Sequence, residues 1–230
     1  MTIHGLPMLA AIAVLCAGST VAQQSPDLTA YLMSDRAAEI ALARSAAPKH
    51  VGDSATVLVL TRTGYVDAAQ GTNGFTCFVQ HSFDSKIGSP GFWDPLIRAP
   101  LCLNAPAVRS VLPEMRMRAE WIMAGVSPTE IALRTKRSYD MHVFPAPEAG
   151  AMAFMLSPQQ HLANTNPHWM PHLMFFYDKS MSAAMWGVGG GTNTLIDGSG
   201  LDPDAQYVML LIPVRSWSDG RSALLPAGTQ

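Results

Sequence analysis

The chain has 230 residues, a length typical of one or two domains. Hydrophobic residues make up 48% of it, which is enough for a core and excludes a disordered chain. Its 15 basic and 17 acidic residues give a net charge of −2, which argues against a protein that binds nucleic acid.

The first segment of the chain has the pattern of a signal peptide. Residues 5–22 carry no charge, and their densest apolar run is Met8–Ala17. That run is too short to span a bilayer, which takes about 20 residues. We predict that residues 1–22 are cleaved off after Ala22, and that residues 23–230 form a single periplasmic or extracellular domain without a transmembrane segment. A retained N-terminal anchor is the alternative.

Removal of this segment leaves two cysteines, Cys77 and Cys102. An even number of cysteines in an oxidising compartment predicts a disulfide. The bond would stabilise the fold by roughly 3–4 kcal/mol in the chain-entropy model. Two buried free thiols, or a reactive thiol at Cys77, are the alternatives. His81 lies four residues further along the same predicted strand, roughly 13 Å away, which is too far for a thiol–imidazole pair.

The first half of the mature chain predicts one helix and then strands. Ser25 and Pro26 indicate a helix start, with a break at Ser34 and an end at Pro48. Three runs rich in β-branched and aromatic residues follow, and their short glycine-containing separators predict an antiparallel meander. The runs are Ala55–Thr61, Tyr65–Ala69 and Phe75–His81. Residues 84–106 contain several prolines and are predicted to be an irregular loop.

A helical hairpin is predicted next. Met115, Ala119 and Ile122 lie on one face of a helix, and Ser127 with Glu130 forms a capping box that starts a second helix. Further strands are predicted at Ala151–Leu156, His172–Asp178, Ala183–Trp186 and Gln206–Val214. The order of elements predicts an α+β fold: a mainly antiparallel sheet with an inserted helical hairpin and an N-terminal helix.

Histidines and methionines alternate near the third quarter of the chain. In an extended segment His168, Met170, His172 and Met174 project to one face, and His161 could add another imidazole. Imidazole and thioether groups are ligands for copper, with methionine favouring Cu(I). This pattern predicts a copper or zinc site. The alternative is a structural histidine pair in a core where methionine fills space.

A glycine-rich loop covers residues 187–200. Gly189, Gly190, Gly191 and Asn193 are candidates for a lid or a backbone cradle around a ligand, and a plain surface connection is the alternative. Basic residues of the helical hairpin, among them Arg116 and Arg118, are interpreted as a solvated face or a surface for an anionic partner. The common motifs of serine hydrolases, zinc proteases and nucleotide-binding loops are absent from the sequence.

Two motifs, GTNGFTCFV (Gly71–Val79) and PHLMFFYD (Pro171–Asp178), resemble segments of exported bacterial proteins that have no assigned activity. The resemblance covers about residues 64–186 and implies no catalytic role. The sequence as a whole favours an exported protein that binds a small ligand or a soft metal ion. An extracytoplasmic hydrolase without a recognisable motif and a structural or protein-interaction module are the alternatives, so whether the protein is an enzyme stays open.

Overall fold

The computed structural model of the chain describes residues 26–163, 169–188, 195–201 and 206–223. The predicted signal segment lies outside these residues, and so do His168, Gly189, Gly190, Gly191 and Asn193. In the described parts of the chain, no helix has the length and apolar character needed to cross a membrane.

The described residues form an α+β fold of five helices and eight strands, as the sequence predicts. The helices are α1 (Arg36–Arg44), α2 (Lys49–Gly52), α3 (Ala105–Ser110), α4 (Leu112–Met123) and α5 (Pro128–Asp140). The strands are β1 (Thr56–Thr61), β2 (Gly64–Ala69), β3 (Thr76–Gln80), β4 (Ala99–Leu103), β5 (Met152–Met155), β6 (His172–Asp178), β7 (Ile196–Asp197) and β8 (Tyr207–Pro213). Short 3-10 turns lie at Leu28–Tyr31, Ser82–Asp84, Ala183–Trp186 and Ser199–Leu201.

The eight described strands form one mixed sheet in the order β2-β1-β3-β4-β5-β6-β8-β7. Every neighbouring pair in this order is antiparallel except β1 and β3, which pair in parallel. The prediction of a mainly antiparallel sheet is therefore confirmed. The predicted helical hairpin, α4 and α5, lies between β4 and β5 in the chain. The start of α5 agrees with the predicted cap, since the Ser127 hydroxyl accepts a hydrogen bond from the Glu130 amide at 3.3 Å.

The predicted meander is wrong in its third strand, because β3 pairs with β1 and not with β2. After β2 the chain passes around the start of β1: the Thr72 amide donates to the Ser54 carbonyl at 2.8 Å, and the Thr56 amide donates to the Phe75 carbonyl at 2.9 Å. A Cβ atom on Gly71 would lie 2.1–2.5 Å from backbone atoms of this stretch. Glycine at position 71 therefore lets the chain cross to the other edge of β1.

The N-terminal helix differs from its prediction because aspartates begin the helical segments. Asp27 caps only the 3-10 turn Leu28–Tyr31. Asp35 accepts from the amides of Ala37 and Ala38 and so starts α1 after the predicted break. Pro48 precedes the short helix α2 and is not a terminator.

Two further expectations were wrong. The segment Ala183–Trp186 is a 3-10 turn and not a strand. The predicted loop of residues 84–106 contains β4, a central strand whose five residues are all buried. Hydrogen-bonded neighbours on both sides hold β4 extended despite Pro100, since tertiary pairing outweighs local propensity.

The predicted disulfide is confirmed: Cys77 and Cys102 are bonded and stand directly opposite each other in β3 and β4. Both residues are fully buried in a small cluster with alanines of α1 and the loop that follows it, among them Ala43 and Ala46. The bond excludes the reactive-thiol alternative for Cys77.

The sheet separates two apolar clusters. Alternate residues of a strand point to opposite faces, so Cys77 and Val79 of β3 pack with α1 while Phe78 packs in the larger cluster on the other face. That larger cluster includes Met115, Ala119 and Ile122, the α4 face that the sequence predicts to be buried. The face covered by α4 also contains a cavity.

Candidate functional site

A cavity of about 450 Å³ lies between the sheet and α4, a size within the usual range of small-molecule sites. The sheet contributes mostly apolar walls: Ala99, Met155, Met174, Tyr207, Met209 and Leu211. The polar residues of the wall come from β3 and the turn after it, from α4, from β6 and from β7: Gln80, His81, Ser82, Asp84, Ser85, Glu114, Arg118, His172 and Asp197. Leu162, Trp169 and Ile196 also contribute to the wall.

Methionine is the commonest apolar side chain in this wall. Met115 comes from α4, and Met155, Met174 and Met209 come from three different strands. Methionine is unbranched and polarizable, so it adapts to ligands of irregular shape. The methionines give the cavity a soft wall that fits an apolar molecule.

His172 begins β6 and is 2% exposed. Its Nδ1 lies 2.9 Å from the Met170 carbonyl oxygen, and the Trp169 ring packs against it in an edge arrangement at 4.7 Å between centroids. A carbonyl oxygen can only accept, so Nδ1 carries the proton. Burial lowers the pKa of His172 to about 4, so the ring is neutral near pH 7 and Nε2 has a free lone pair.

His81 follows β3 and is 3% exposed. Its ring stacks on Phe83 at 5.5 Å between centroids and meets Tyr31 edge-on at 5.8 Å. Burial, together with the positive charge of Arg98, lowers the pKa of His81 to about 3. An interaction of the ring with the Ile97 backbone raises the pKa and so offsets part of this decrease. Within the described residues neither ring nitrogen makes a hydrogen bond of ordinary geometry.

An ion pair inside α4 forms another part of the cavity wall. Glu114 and Arg118 are both buried and stand one helical turn apart, with 3.8 Å between Oε1 and Nη1. Arg118 also donates to the carbonyls of Phe83 at 2.9 Å and Ser85 at 2.6 Å. The arginine thus ties the turn after β3 to α4. The interpretation of Arg118 as part of a solvated face is wrong, because its long side chain is directed toward these carbonyls.

The two cavity serines are not arranged as nucleophiles. The Ser82 hydroxyl lies 2.8 Å from the Phe92 carbonyl and donates to it, and the Ser85 hydroxyl donates to the Ser82 carbonyl at 2.6 Å. Their protons are therefore held by backbone oxygens and not by a histidine base. The described part of the cavity contains no serine–histidine pair.

Of the residues in the predicted metal-binding pattern that the structure describes, His172 and Met174 line the cavity. Met170 contributes its backbone carbonyl to His172, and His161 pairs through its backbone with Arg98 at 2.8 Å in both directions. Among the described residues there is no group of three or more His, Cys, Asp or Glu residues that could hold a metal ion.

Sequence reasoning missed His81 and the pair of Glu114 and Arg118 as parts of a site. The spacing of Glu114 and Arg118 by four residues is a readable signal for a helical ion pair, but it does not show that the pair is buried. His81 carries no signal of its own, since its importance comes from the side chains that surround it.

Comparison with protein-family models, with curated proteins and with solved structures gives no match. The chemistry of the cavity is therefore the basis on which a function can be proposed.

Proposed function

We propose that the chain is an exported protein that binds a small, largely apolar molecule in the cavity under α4. The observation that carries this proposal is the cavity itself, whose wall is mostly apolar and rich in methionine and contains the two buried imidazole rings of His81 and His172. Small-molecule sites typically combine an apolar wall with a few polar groups that fix the orientation of the ligand.

The walls define the chemistry of such a ligand. Most of its surface would contact methionine, leucine and the Trp169 ring, so its body is apolar. A neutral imidazole has one N–H donor and one acceptor nitrogen, so the ligand carries a hydrogen-bonding group where it meets His81. The apolar body supplies the driving force for binding, and the polar group fixes the orientation.

The test is a fluorescence titration with N-phenyl-1-naphthylamine, a neutral apolar probe with a single N–H group. We expect saturable binding to the wild-type protein. Ala163→Trp places a large ring in the cavity wall and should weaken binding by about tenfold or more. Ala38→Trp, at an exposed position of α1, is the matched control and should bind as the wild type does. Equal binding by both variants, or no binding by the wild type, would contradict the proposal.

A second pair of probes tests the role of His81. His81→Phe keeps an aromatic ring beside Phe83 but removes both ring nitrogens. The variant should lose affinity for N-phenyl-1-naphthylamine and keep its affinity for 1-phenylnaphthalene, which has no hydrogen-bonding group. If both probes bind the variant as tightly as the wild type, His81 does not recognise the ligand.

Export is part of the proposal and rests on the apolar N-terminal segment and on the disulfide, a bond typical of oxidising compartments. The measurement is the intact mass of the protein secreted or released from the periplasm of a bacterial host. We expect a chain that starts at Gln23 and lacks two hydrogen atoms because of the disulfide. A full-length chain with reduced cysteines that stays in the cytoplasm would contradict export.

The two alternative functions have less support. An extracytoplasmic hydrolase lacks an activated serine in the described cavity. An interaction module would use exposed apolar side chains on and after α5, namely Leu133, Met141 and Val143, but nothing in the structure identifies a partner for them.

A further inference from the structure

The sheet face under the cavity brings an imidazole and two thioethers together. His172 of β6 and Met155 of β5 stand directly opposite each other in the antiparallel pair. Met174 follows His172 by two residues and so projects to the same face. All three side chains line the cavity, and each is at most 6% exposed.

The strand register places these side chains within reach of one another. Opposite residues of an antiparallel pair have Cβ atoms about 4.5–5.5 Å apart, and diagonal neighbours are about 7–8 Å apart. The residue opposite Met174 is Ala153, which is fully buried in the core. The long thioether side chains of Met155 and Met174 line the same cavity as His172.

The imidazole is already in the form that a metal ion needs. Its Nδ1 proton is donated to the Met170 carbonyl, which fixes the ring orientation and leaves the Nε2 lone pair available. Histidines that bind metal ions almost always donate their other ring nitrogen to a carbonyl or carboxylate in this way. Because the hydrogen bond fixes its ring orientation, His172 differs from a core side chain that only fills space.

We propose that Met155, His172 and Met174 bind Cu(I). Two thioether sulfurs and one imidazole nitrogen form a soft, uncharged ligand set, which suits Cu(I) and excludes the hard cations that need oxygen ligands. This set keeps His172 and Met174 of the alternating sequence pattern and takes Met155 of β5 in place of Met170. The site does not depend on the apolar ligand proposed above.

The test is a competition titration of the mature wild-type protein with Cu(I), kept reduced without oxygen, against a coloured Cu(I) chelator. Ag(I) in nitrate buffer serves as a redox-inert probe of the same softness. We expect one equivalent to bind, and X-ray absorption should show sulfur as well as nitrogen around the copper. Zn(II) should not compete, because the set contains a single nitrogen ligand and no thiolate or carboxylate.

Variants identify the ligands. Met155→Leu and Met174→Leu keep side-chain volume and should each weaken Cu(I) binding by at least about tenfold. His172→Asn keeps a donor toward the Met170 carbonyl but removes Nε2, and should do the same. Met115→Leu is the matched control, since this cavity methionine lies on α4 and its sulfur faces the Gln80 amide at 3.8 Å.

Each result decides the matter. Undiminished Cu(I) affinity in the Met155→Leu/Met174→Leu double variant, or copper surrounded only by nitrogen and oxygen in the wild type, would overturn the proposal. Thermal unfolding followed by circular dichroism checks that the variants are folded. If a variant does not fold, the X-ray absorption spectrum of the wild type still tests the sulfur ligands.

Discussion

At the scale of single residues, the cavity contains two buried histidines that stay neutral. The pKa of His81 is lowered to about 3 and that of His172 to about 4, in both cases mainly by burial. Unfolding returns each ring to an ordinary pKa near 6.5. Below that pH the unfolded chain binds protons that the folded chain does not bind, so stability present above pH 6.5 is lost as the pH falls.

We therefore expect the free energy of unfolding to decrease by about 1.4 kcal/mol per pH unit for each of the two histidines between roughly pH 6 and pH 4. Urea unfolding at a series of pH values measures this slope. His81→Phe should reduce the slope, because one of the two groups is removed. Identical slopes for the wild type and the variant would show that His81 is not buried as a neutral ring.

The buried ion pair of α4 leads to a second prediction. Glu114→Gln removes the buried carboxylate that stands one helical turn from the buried Arg118 charge, so it should cost about 3–5 kcal/mol of stability. Asp140→Asn removes the exposed partner of Lys136, also four residues away, and should cost at most about 0.5 kcal/mol. Denaturant unfolding of both variants makes the comparison, and equal effects would argue against a buried pair.

The sequence pattern identified His172 and Met174 of the cavity wall and missed other residues of the site for a physical reason. His172 stands out because alternation along a strand is a local pattern. Arg118 and His81 have ordinary surroundings in the sequence, and their burial depends on elements far away along the chain. Spacing alone therefore could not separate the buried Arg118 from the partly exposed Arg116 on the same helix.

At the scale of elements, the crossing after β2 determines the sheet order. Gly71→Ala would push a methyl group into the backbone at the start of β1, where three atoms lie within 2.5 Å of its position. We expect a loss of stability of at least about 2 kcal/mol, because backbone atoms cannot move aside as a flexible side chain can.

The matched control is Gly200→Ala, since nothing lies within 4 Å of a Cβ at that position. Its unfolding temperature should stay close to that of the wild type, whereas that of Gly71→Ala should decrease clearly. Equal unfolding temperatures for the two variants would show that the chain can adjust at the crossing.

Local signals explain which elements could be predicted. Caps and helical periodicity lie within a few residues, so the α4 face and the start of α5 follow from the sequence. The strand β4 and the parallel pairing of β1 with β3 depend on partners elsewhere in the chain. Pro100 within β4 favoured the wrong prediction of a loop. The short separator between β2 and β3 favoured the wrong prediction of a meander.

At the scale of the whole molecule, the sheet places the disulfide and the cavity on opposite sides. Cys77 and Cys102 belong to the cluster under α1, whereas the cavity lies under α4. Replacing both cysteines by alanine should cost roughly 3–4 kcal/mol, the loop-closure contribution of the bond.

The same double variant should bind N-phenyl-1-naphthylamine as the wild type does under conditions where both are folded. Urea unfolding gives the stability, and the fluorescence titration gives the affinity. A large loss of affinity in the folded variant would mean that the two sides of the sheet are coupled.

The position of β8 has a consequence for folding rates. This strand lies between β6 and β7 and contributes Tyr207, Met209 and Leu211 to a wall whose first residue is Gln80. Bringing together wall residues that lie so far apart along the chain is slow, so we expect the cavity to be completed late, after the main folding barrier. A molecule that fits it should therefore slow unfolding and leave the refolding rate almost unchanged, which stopped-flow mixing with and without the probe would show.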